Sequence, residues 1–102
     1  MSIRKQFLKT RPVCKVTFKV PKNMGENADF AHLVGDFNDW STSATPMKKL
    51  KTGRFTLTLD LAAHQSYQFR YLLGGADWGN DPDADDQVPT PFEGSYNSVI
   101  QL

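Results

Sequence analysis

The chain has 102 residues, a formal net charge of +1 and an apolar fraction of 39%. This length holds one domain and leaves no room within it for a separate catalytic domain, and the apolar fraction is too high for a disordered chain. The near-neutral charge makes neither a nucleic acid nor an anionic membrane the default partner.

The first eleven residues are predicted to form an N-terminal arm that precedes a single domain over residues 12–102. Ile3 and Phe7 are four residues apart, a spacing that allows a helical turn over residues 3–8. The segment is basic but lacks the apolar stretch of a signal peptide, and no apolar run in the chain is long enough to span a bilayer. We therefore expect a cytoplasmic protein.

Alternation of apolar and polar residues predicts β-strands over most of the regular part of the chain. Gly, Asn and Pro turns separate the segments, and a second helical turn is allowed at residues 61–64. The predicted strands cover residues 14–20, 30–35, 55–61, 67–73 and 98–102. Several short strands in about 100 residues predict an all-β fold, an antiparallel β-sandwich.

The charged residues are separated along the sequence. Basic side chains occupy the start of the chain before any acidic one, whereas the segment from Asp77 to Glu93, with both ends included, has six acidic residues and no basic one. We expect two solvated surfaces of opposite sign, and the alternative is a head-to-tail contact between molecules.

Residues suited to catalysis or metal binding are few. His32, His64 and the single cysteine, Cys14, lack the spacing of a metal site, and neither histidine is accompanied by a recognisable nucleophile. Residues 81–86 (DPDADD) begin like a calcium loop, but Asp86 stands where the turn needs Gly and Phe92 where a bidentate Glu is needed. The sequence therefore predicts neither an enzyme nor a metal or cofactor site.

The two tryptophans lie outside the alternating strands. Trp40 ends the run GDFNDW and Trp78 follows GGAD, so each has amide and carboxylate neighbours. A large aromatic in a polar turn either fills the core or marks a binding surface. Indole with amides and carboxylates suits a sugar, because a pyranose has an apolar C–H face and a rim of hydroxyls.

Four segments resemble carbohydrate-binding module family 48 in that family's order and spacing. They are residues 33–40 (LVGDFNDW), 67–71 (YQFRY), 78–82 (WGNDP) and 97–100 (NSVI). The family is the isoamylase early-set domain of glycogen branching and debranching enzymes and of AMP-activated protein kinase beta subunits. The resemblance covers residues 12–102 and implies an immunoglobulin-like early-set sandwich, a non-catalytic module that binds α-1,4-glucan such as glycogen, starch or maltooligosaccharide.

The resemblance also implies which side chains contact the sugar. The two tryptophans stand at positions that stack on glucose rings, and Arg70 and Asn97 at positions that bond sugar hydroxyls. With two rim residues added, the predicted site consists of Trp40, Arg70, Trp78, Asn97, Gln68 and Asp39. Strand alternation supports this arrangement independently, because core-facing Phe69 would turn Gln68 and Arg70 to the opposite face. Gly35 is expected to allow a close turn, and Phe37 to anchor it in the core.

Two positions depart from the family pattern. The turn at residues 73–77 is about one residue longer than in the kinase-type members, and Glu93 replaces an apolar residue that engages the sugar there. Neither a glycosidase barrel nor a kinase-association segment follows Leu102, so we expect a stand-alone module. The alternative function is an interaction or structural module without useful sugar affinity, which associates with a separate glycoside hydrolase or branching enzyme or with itself.

Overall fold

Successive side chains of a strand point to opposite faces, so the alternating segments of this sequence form strands with one buried and one wet face. The structure is a computed structural model that describes residues 3–91 and 94–102. Its elements, in chain order, are β1 (Ile3–Phe7), β2 (Val13–Lys19), α1 (Lys22–Gly25), β3 (Ala31–Gly35), a 3-10 turn (Asp36–Asn38), β4 (Lys48–Lys49), β5 (Phe55–Ala62), β6 (Ser66–Leu73), β7 (Asp77–Gly79), β8 (Asp86–Pro89) and β9 (Tyr96–Gln101).

The strands form two antiparallel sheets. Sheet 1 has the order β1-β2-β5-β4, and sheet 2 has the order β3-β6-β9-β8 with β7 paired to β6 as well. This arrangement confirms the predicted all-β sandwich. Within residues 3–91 and 94–102 the structure contains no helix with the length and apolar character of a membrane span.

The core lies between the two sheets and is built from the inward positions of the alternating strands. Phe18 of β2 is fully buried, and its ring meets Phe69 of β6 edge-on at a centroid distance of 5.2 Å. Phe69 and Tyr71 both face this core. Because the period of a strand is two, Arg70 lies on the outer face of sheet 2, as the alternation predicts.

The predicted strands are confirmed with small shifts in their ends, but both predicted helical turns are wrong. Residues 3–7 form β1, in which Ile3 lies opposite Phe18 of β2. A spacing of four residues places two side chains on one face of a strand as well as of a helix, so the spacing could not decide. Residues 61 and 62 continue β5, and His64 has a left-handed φ of 63°. The helix α1 stands where a turn is predicted.

The basic start of the chain and its acidic segment meet inside one molecule. Lys5 Nζ donates to Asp85 Oδ2 at 2.6 Å and to the backbone oxygen of Gln101 at 3.0 Å. This contact joins β1, at the edge of sheet 1, to the region of β8 and β9 in sheet 2. The division into an arm (1–11) and a domain (12–102) stays a prediction, and β1 pairs within sheet 1.

Candidate functional site

The turn after β3 is shaped by a glycine. A Cβ atom on Gly35 would lie 2.5 Å from the backbone oxygen of Gln68, so only glycine fits without a shift of the β6 backbone. The turn then closes through the Trp40 N–H, which donates to the Gly35 oxygen at 2.9 Å. Asp39 and Trp40 both adopt left-handed backbone conformations, with φ of 56° and 58°. Gly35 therefore makes the close contact that was predicted. The conformation of the turn determines the direction in which the Trp40 side chain points.

Asn38 and Phe37 fix this turn to the body of the domain. Asn38 Nδ2 donates to the Leu33 backbone oxygen and to Thr45 Oγ1, both at 2.8 Å, while Asn38 Oδ1 accepts the Gly35 N–H at 3.1 Å. Phe37 packs against the core, with its ring centroid 5.9 Å from that of Phe18. The expected anchoring role of Phe37 is thus confirmed.

Asp36 holds the half-buried Trp40 side chain, a role that the sequence reasoning did not assign. The indole Nε1–H of Trp40 donates to Asp36 Oδ1 at 2.9 Å, and the other carboxylate oxygen accepts the Gln68 backbone N–H at 2.7 Å. One carboxylate therefore ties the indole to β6. The spacing of four residues between Asp36 and Trp40 is the signal that could have pointed to this bond.

A chain of polar side chains crosses the outer face of sheet 2. Arg70 Nε donates to Asn97 Oδ1 at 2.6 Å, and Asn97 Nδ2 donates to Gln68 Oε1 at 3.0 Å. Arg70 Nη2 also donates to Ser95 Oγ. Among the described residues no hydrogen-bond partner is found for Arg70 Nη1, so this end of the guanidinium can donate to a ligand.

Trp78 lies in the short strand β7, directly opposite Leu72 of β6. Its side chain is 47% exposed. On the next residue, Gly79, a Cβ atom would lie 2.5 Å from Met24 Sδ, so the backbone of β7 packs closely on α1. Trp78 therefore presents a large aromatic surface to solvent from a backbone that is held on both sides.

The segment after Trp78 is fixed by buried polar contacts. The Tyr71 hydroxyl donates to Asp81 Oδ2 at 2.6 Å, and the Asp81 N–H donates to Ser98 Oγ at 2.9 Å. Burial raises the pKa of Tyr71 far above its ordinary value, and the Asp81 charge raises it further. The hydroxyl consequently stays protonated and keeps donating. Asp81 is fully buried and forms hydrogen bonds with residues of both β6 and β9.

Four of the six predicted site residues line a single groove on sheet 2, with a volume of about 450 Å³. Among the described residues its lining comprises Trp40, Arg70, Trp78, Thr90, Pro91, Ser95 and Asn97. Gln68 reaches the groove indirectly through Asn97, and Asp39 is exposed beside Trp40 without lining it. Thr90, Pro91 and Ser95 were not predicted, because they come from the loop between β8 and β9, which has no periodic pattern. Glu93 lies outside the described residues.

The part of the chain that the structure describes contains no evident metal-binding cluster. Within residues 3–91 and 94–102 no group of three or more His, Cys, Asp or Glu side chains is placed to hold a metal ion. The groove offers instead two indoles, a guanidinium and neutral polar groups. Such a set can stack on and hydrogen-bond a neutral polyhydroxylated ligand.

Comparison with known proteins identifies the family. The family model for carbohydrate-binding module 48, the isoamylase N-terminal domain, matches residues 15–86, well over half of the chain. Trp40, Arg70 and Trp78 lie inside the matched residues, and Asn97 and Ser95 lie beyond them. Among curated proteins no significant match is found. The chain therefore belongs to the carbohydrate-binding module 48 family, whose members are carbohydrate-binding domains.

Proposed function

We propose that the protein is a non-catalytic module that binds α-1,4-glucan, such as glycogen, starch or maltooligosaccharides. The observation that carries this proposal is the convergence of Trp40, Trp78 and the bonded pair Arg70–Asn97 on one groove. A glucose ring has a C–H face that stacks on an indole and hydroxyls that bond a guanidinium or an amide. The groove offers both kinds of contact.

The two tryptophans contribute in different ways. Trp78 is 47% exposed and offers an open stacking surface, whereas Trp40 is half-buried and held by Asp36. A side chain that is already fixed loses little conformational entropy on binding. Trp40 is thus proposed to orient the glucan, and Trp78 to supply most of the exposed aromatic area.

The polar side chains are proposed to select the hydroxyl pattern. Arg70 can donate through Nη1 while Nε and Nη2 remain bonded to Asn97 and Ser95. Asn97 is oriented from both sides by Arg70 and Gln68. Gln68 acts through Asn97, and Asp39 is proposed to meet the ligand only at the rim.

The proposed affinity is weak. Two stacking contacts of about 0.5–1.5 kcal/mol each, with hydrogen bonds that compete with water, correspond to a Kd between tens of micromolar and millimolar. This strength suits a module that finds a polymer with many repeated sites.

Native gel electrophoresis in glycogen tests the proposal. The wild-type protein should be retarded, and Trp40→Ala and Trp78→Ala should each lose most of the retardation. Phe7→Ala is the matched control, because Phe7 is a 54% exposed aromatic on sheet 1 and outside the groove. An unretarded wild type, or equal retardation of all four proteins, would count against α-glucan binding at this groove.

The absence of catalysis is part of the same proposal. Glycoside hydrolysis ordinarily uses two carboxyl groups, and the described residues that line the groove include none. Purified protein should release no reducing ends from glycogen. Sustained release that one carboxylate substitution abolishes would contradict this part of the proposal.

A second candidate is an interaction module that associates with a separate glycoside hydrolase or branching enzyme or with itself. One observation that favours it is the open edges of sheet 1, which ends at β1 and at β4. Another is the basic start of the chain and its acidic segment, of which the ion pair between Lys5 and Asp85 neutralises only a part. Self-association that weakens with salt and ignores maltoheptaose, measured by sedimentation velocity, would favour this candidate over glucan binding. The cytoplasmic location stays a prediction.

A further inference from the structure

The outer face of sheet 2 continues beyond the groove in one row of paired residues. His32 of β3 lies opposite Leu72 of β6, and Leu72 lies opposite Trp78 of β7. Directly opposed residues of antiparallel strands point to the same face. The row therefore leads from Trp78 across β6 to β3.

Phe30 extends this row at the start of β3. Its ring lies edge-on to His32 at a centroid distance of 5.9 Å, which places the two side chains on the same side. Its backbone oxygen accepts the Gly74 N–H at 2.8 Å, and a Cβ on Gly75 would lie 3.4 Å from its ring. The phenyl ring is thus supported by His32 and by the glycine turn, yet it is 48% exposed.

A second cavity opens beside this ring. It has a volume of about 390 Å³ and lies between residues 24–30 and the turn at residues 73–77. Its lining combines Phe30 with the polar side chains of Asn27, Asp29 and Asp77. Asp77 and its strand partner Leu73 point to the face opposite Trp78 and Leu72, so this cavity opens at the end of the sandwich, next to the outer-face row at Phe30. An aromatic ring with amide and carboxylate groups is again the set that a sugar ring requires.

We propose that Phe30, with the cavity that opens beside it, forms a second α-glucan contact. A glucan reaches this contact only if it is already bound at Trp78 and is long enough to cross β6. This inference rests on the proposed function of the groove. Two strand spacings and two residues along a strand separate the Cα atoms of Trp78 and Phe30 by about 12 Å. That span requires an oligosaccharide of several glucose rings.

Calorimetric titration with maltotriose and with maltoheptaose tests the inference. Phe30→Leu keeps an apolar side chain but removes the ring, and it should weaken maltoheptaose binding about three- to tenfold while leaving maltotriose binding unchanged. Phe30→Tyr should restore the wild-type affinity for maltoheptaose. Phe7→Leu is the matched control and should bind both sugars as the wild type does, and thermal melting of each variant confirms that it is folded.

The outcomes separate this inference from the proposed function. If Phe30→Leu binds maltoheptaose like the wild type while Trp78→Ala does not bind, the second contact is wrong and the groove stands. Equal losses for both sugars would also overturn the second contact, because they indicate a distortion of the groove itself. A wild-type protein that binds neither sugar would overturn both proposals.

Discussion

Asp36 is the residue on which the position of Trp40 most directly depends. It is exposed, but its two oxygens are engaged by the Trp40 indole and by the Gln68 backbone. A carboxylate is an acceptor only, and it can serve two donors at once. The precision of the groove at Trp40 therefore comes from a residue that does not line it.

Replacing Asp36 with Ala should lower both stability and glucan affinity. Loss of two hydrogen bonds to a charged acceptor should reduce the free energy of unfolding by about 1–3 kcal/mol, measured by urea denaturation. Asp60→Ala is the control, since Asp60 is an exposed carboxylate 3.8 Å from Lys15, and it should change stability by less than about 0.5 kcal/mol. If Asp36→Ala keeps wild-type glycogen affinity, Asp36 has no positioning role.

At the scale of the elements, β7 is short and depends on its neighbours. It spans three residues, pairs with β6, and packs on Met24 through Gly79. The chain that follows it is held by Asp81, which accepts the buried Tyr71 hydroxyl. The exposed indole of Trp78 is consequently carried by an element that buried polar contacts stabilise.

Tyr71→Phe should show the strength of this support. The substitution removes a donor from a buried carboxylate and should cost about 1.5–3 kcal/mol of unfolding free energy. Tyr67→Phe is the control, because the Tyr67 hydroxyl donates to the Ala62 backbone oxygen at an exposed position, and its cost should be nearer 0.5–1 kcal/mol. Equal costs for both variants would contradict a special role for the Tyr71–Asp81 bond.

The contact between β1 and the acidic segment adds a pH dependence. Partial burial alone would raise the pKa of Asp85, but the Gln101 backbone N–H and the Lys5 ammonium hold it below its ordinary value. A carboxyl with a lowered pKa in the folded state stabilises that state above its unfolded pKa of about 3.9. This contribution is lost as the pH falls through the lower folded value.

Lys5→Ala should therefore be less stable than the wild type by about 0.2–1 kcal/mol at neutral pH and low salt. The difference should begin to shrink as the pH falls below the unfolded-state pKa of about 3.9, and it should vanish once Asp85 of the folded protein is protonated. It should also shrink in high salt. Urea denaturation at pH 7 and at pH 3 measures it, with Lys15→Ala as the control for a more exposed pair. A difference that grows on acidification would contradict the ion pair.

At the scale of the whole molecule, periodicity predicts the central strands because their apolar residues face one continuous core. β1 has no such apolar period, since Lys5, on the same face of the strand as Ile3, is charged and bonds Asp85, which is 80 residues away in the sequence. The two residues of β4 and the three of β7 are too short to show any period. Long-range partners and short edge strands are therefore where sequence reasoning fails here.

The residues of the candidate site also fall into those that the sequence predicts and those that it does not. Trp40 and Trp78 stand out in sequence as aromatics in polar turns, and Arg70 follows from the alternation around Phe69. Asp36, Thr90 and Ser95 were not assigned. The spacing of four residues could have pointed to the bond between Asp36 and Trp40, whereas the groove positions of Thr90 and Ser95 depend on the path of the β8–β9 loop. Asp39 illustrates the converse, since it precedes Trp40 directly in the sequence and yet does not line the groove.

The groove is proposed to bind α-glucan across Trp40 and Trp78. The chain has only two tryptophans, so its two indole N–H signals report on the groove alone in a proton–nitrogen NMR titration, once Trp40→Phe assigns them. Addition of maltoheptaose should shift both signals along one saturable curve, while backbone amides of β2 and β5 in sheet 1 stay in place. Indole signals that do not move at millimolar maltoheptaose, or shifts confined to sheet 1, would contradict the account.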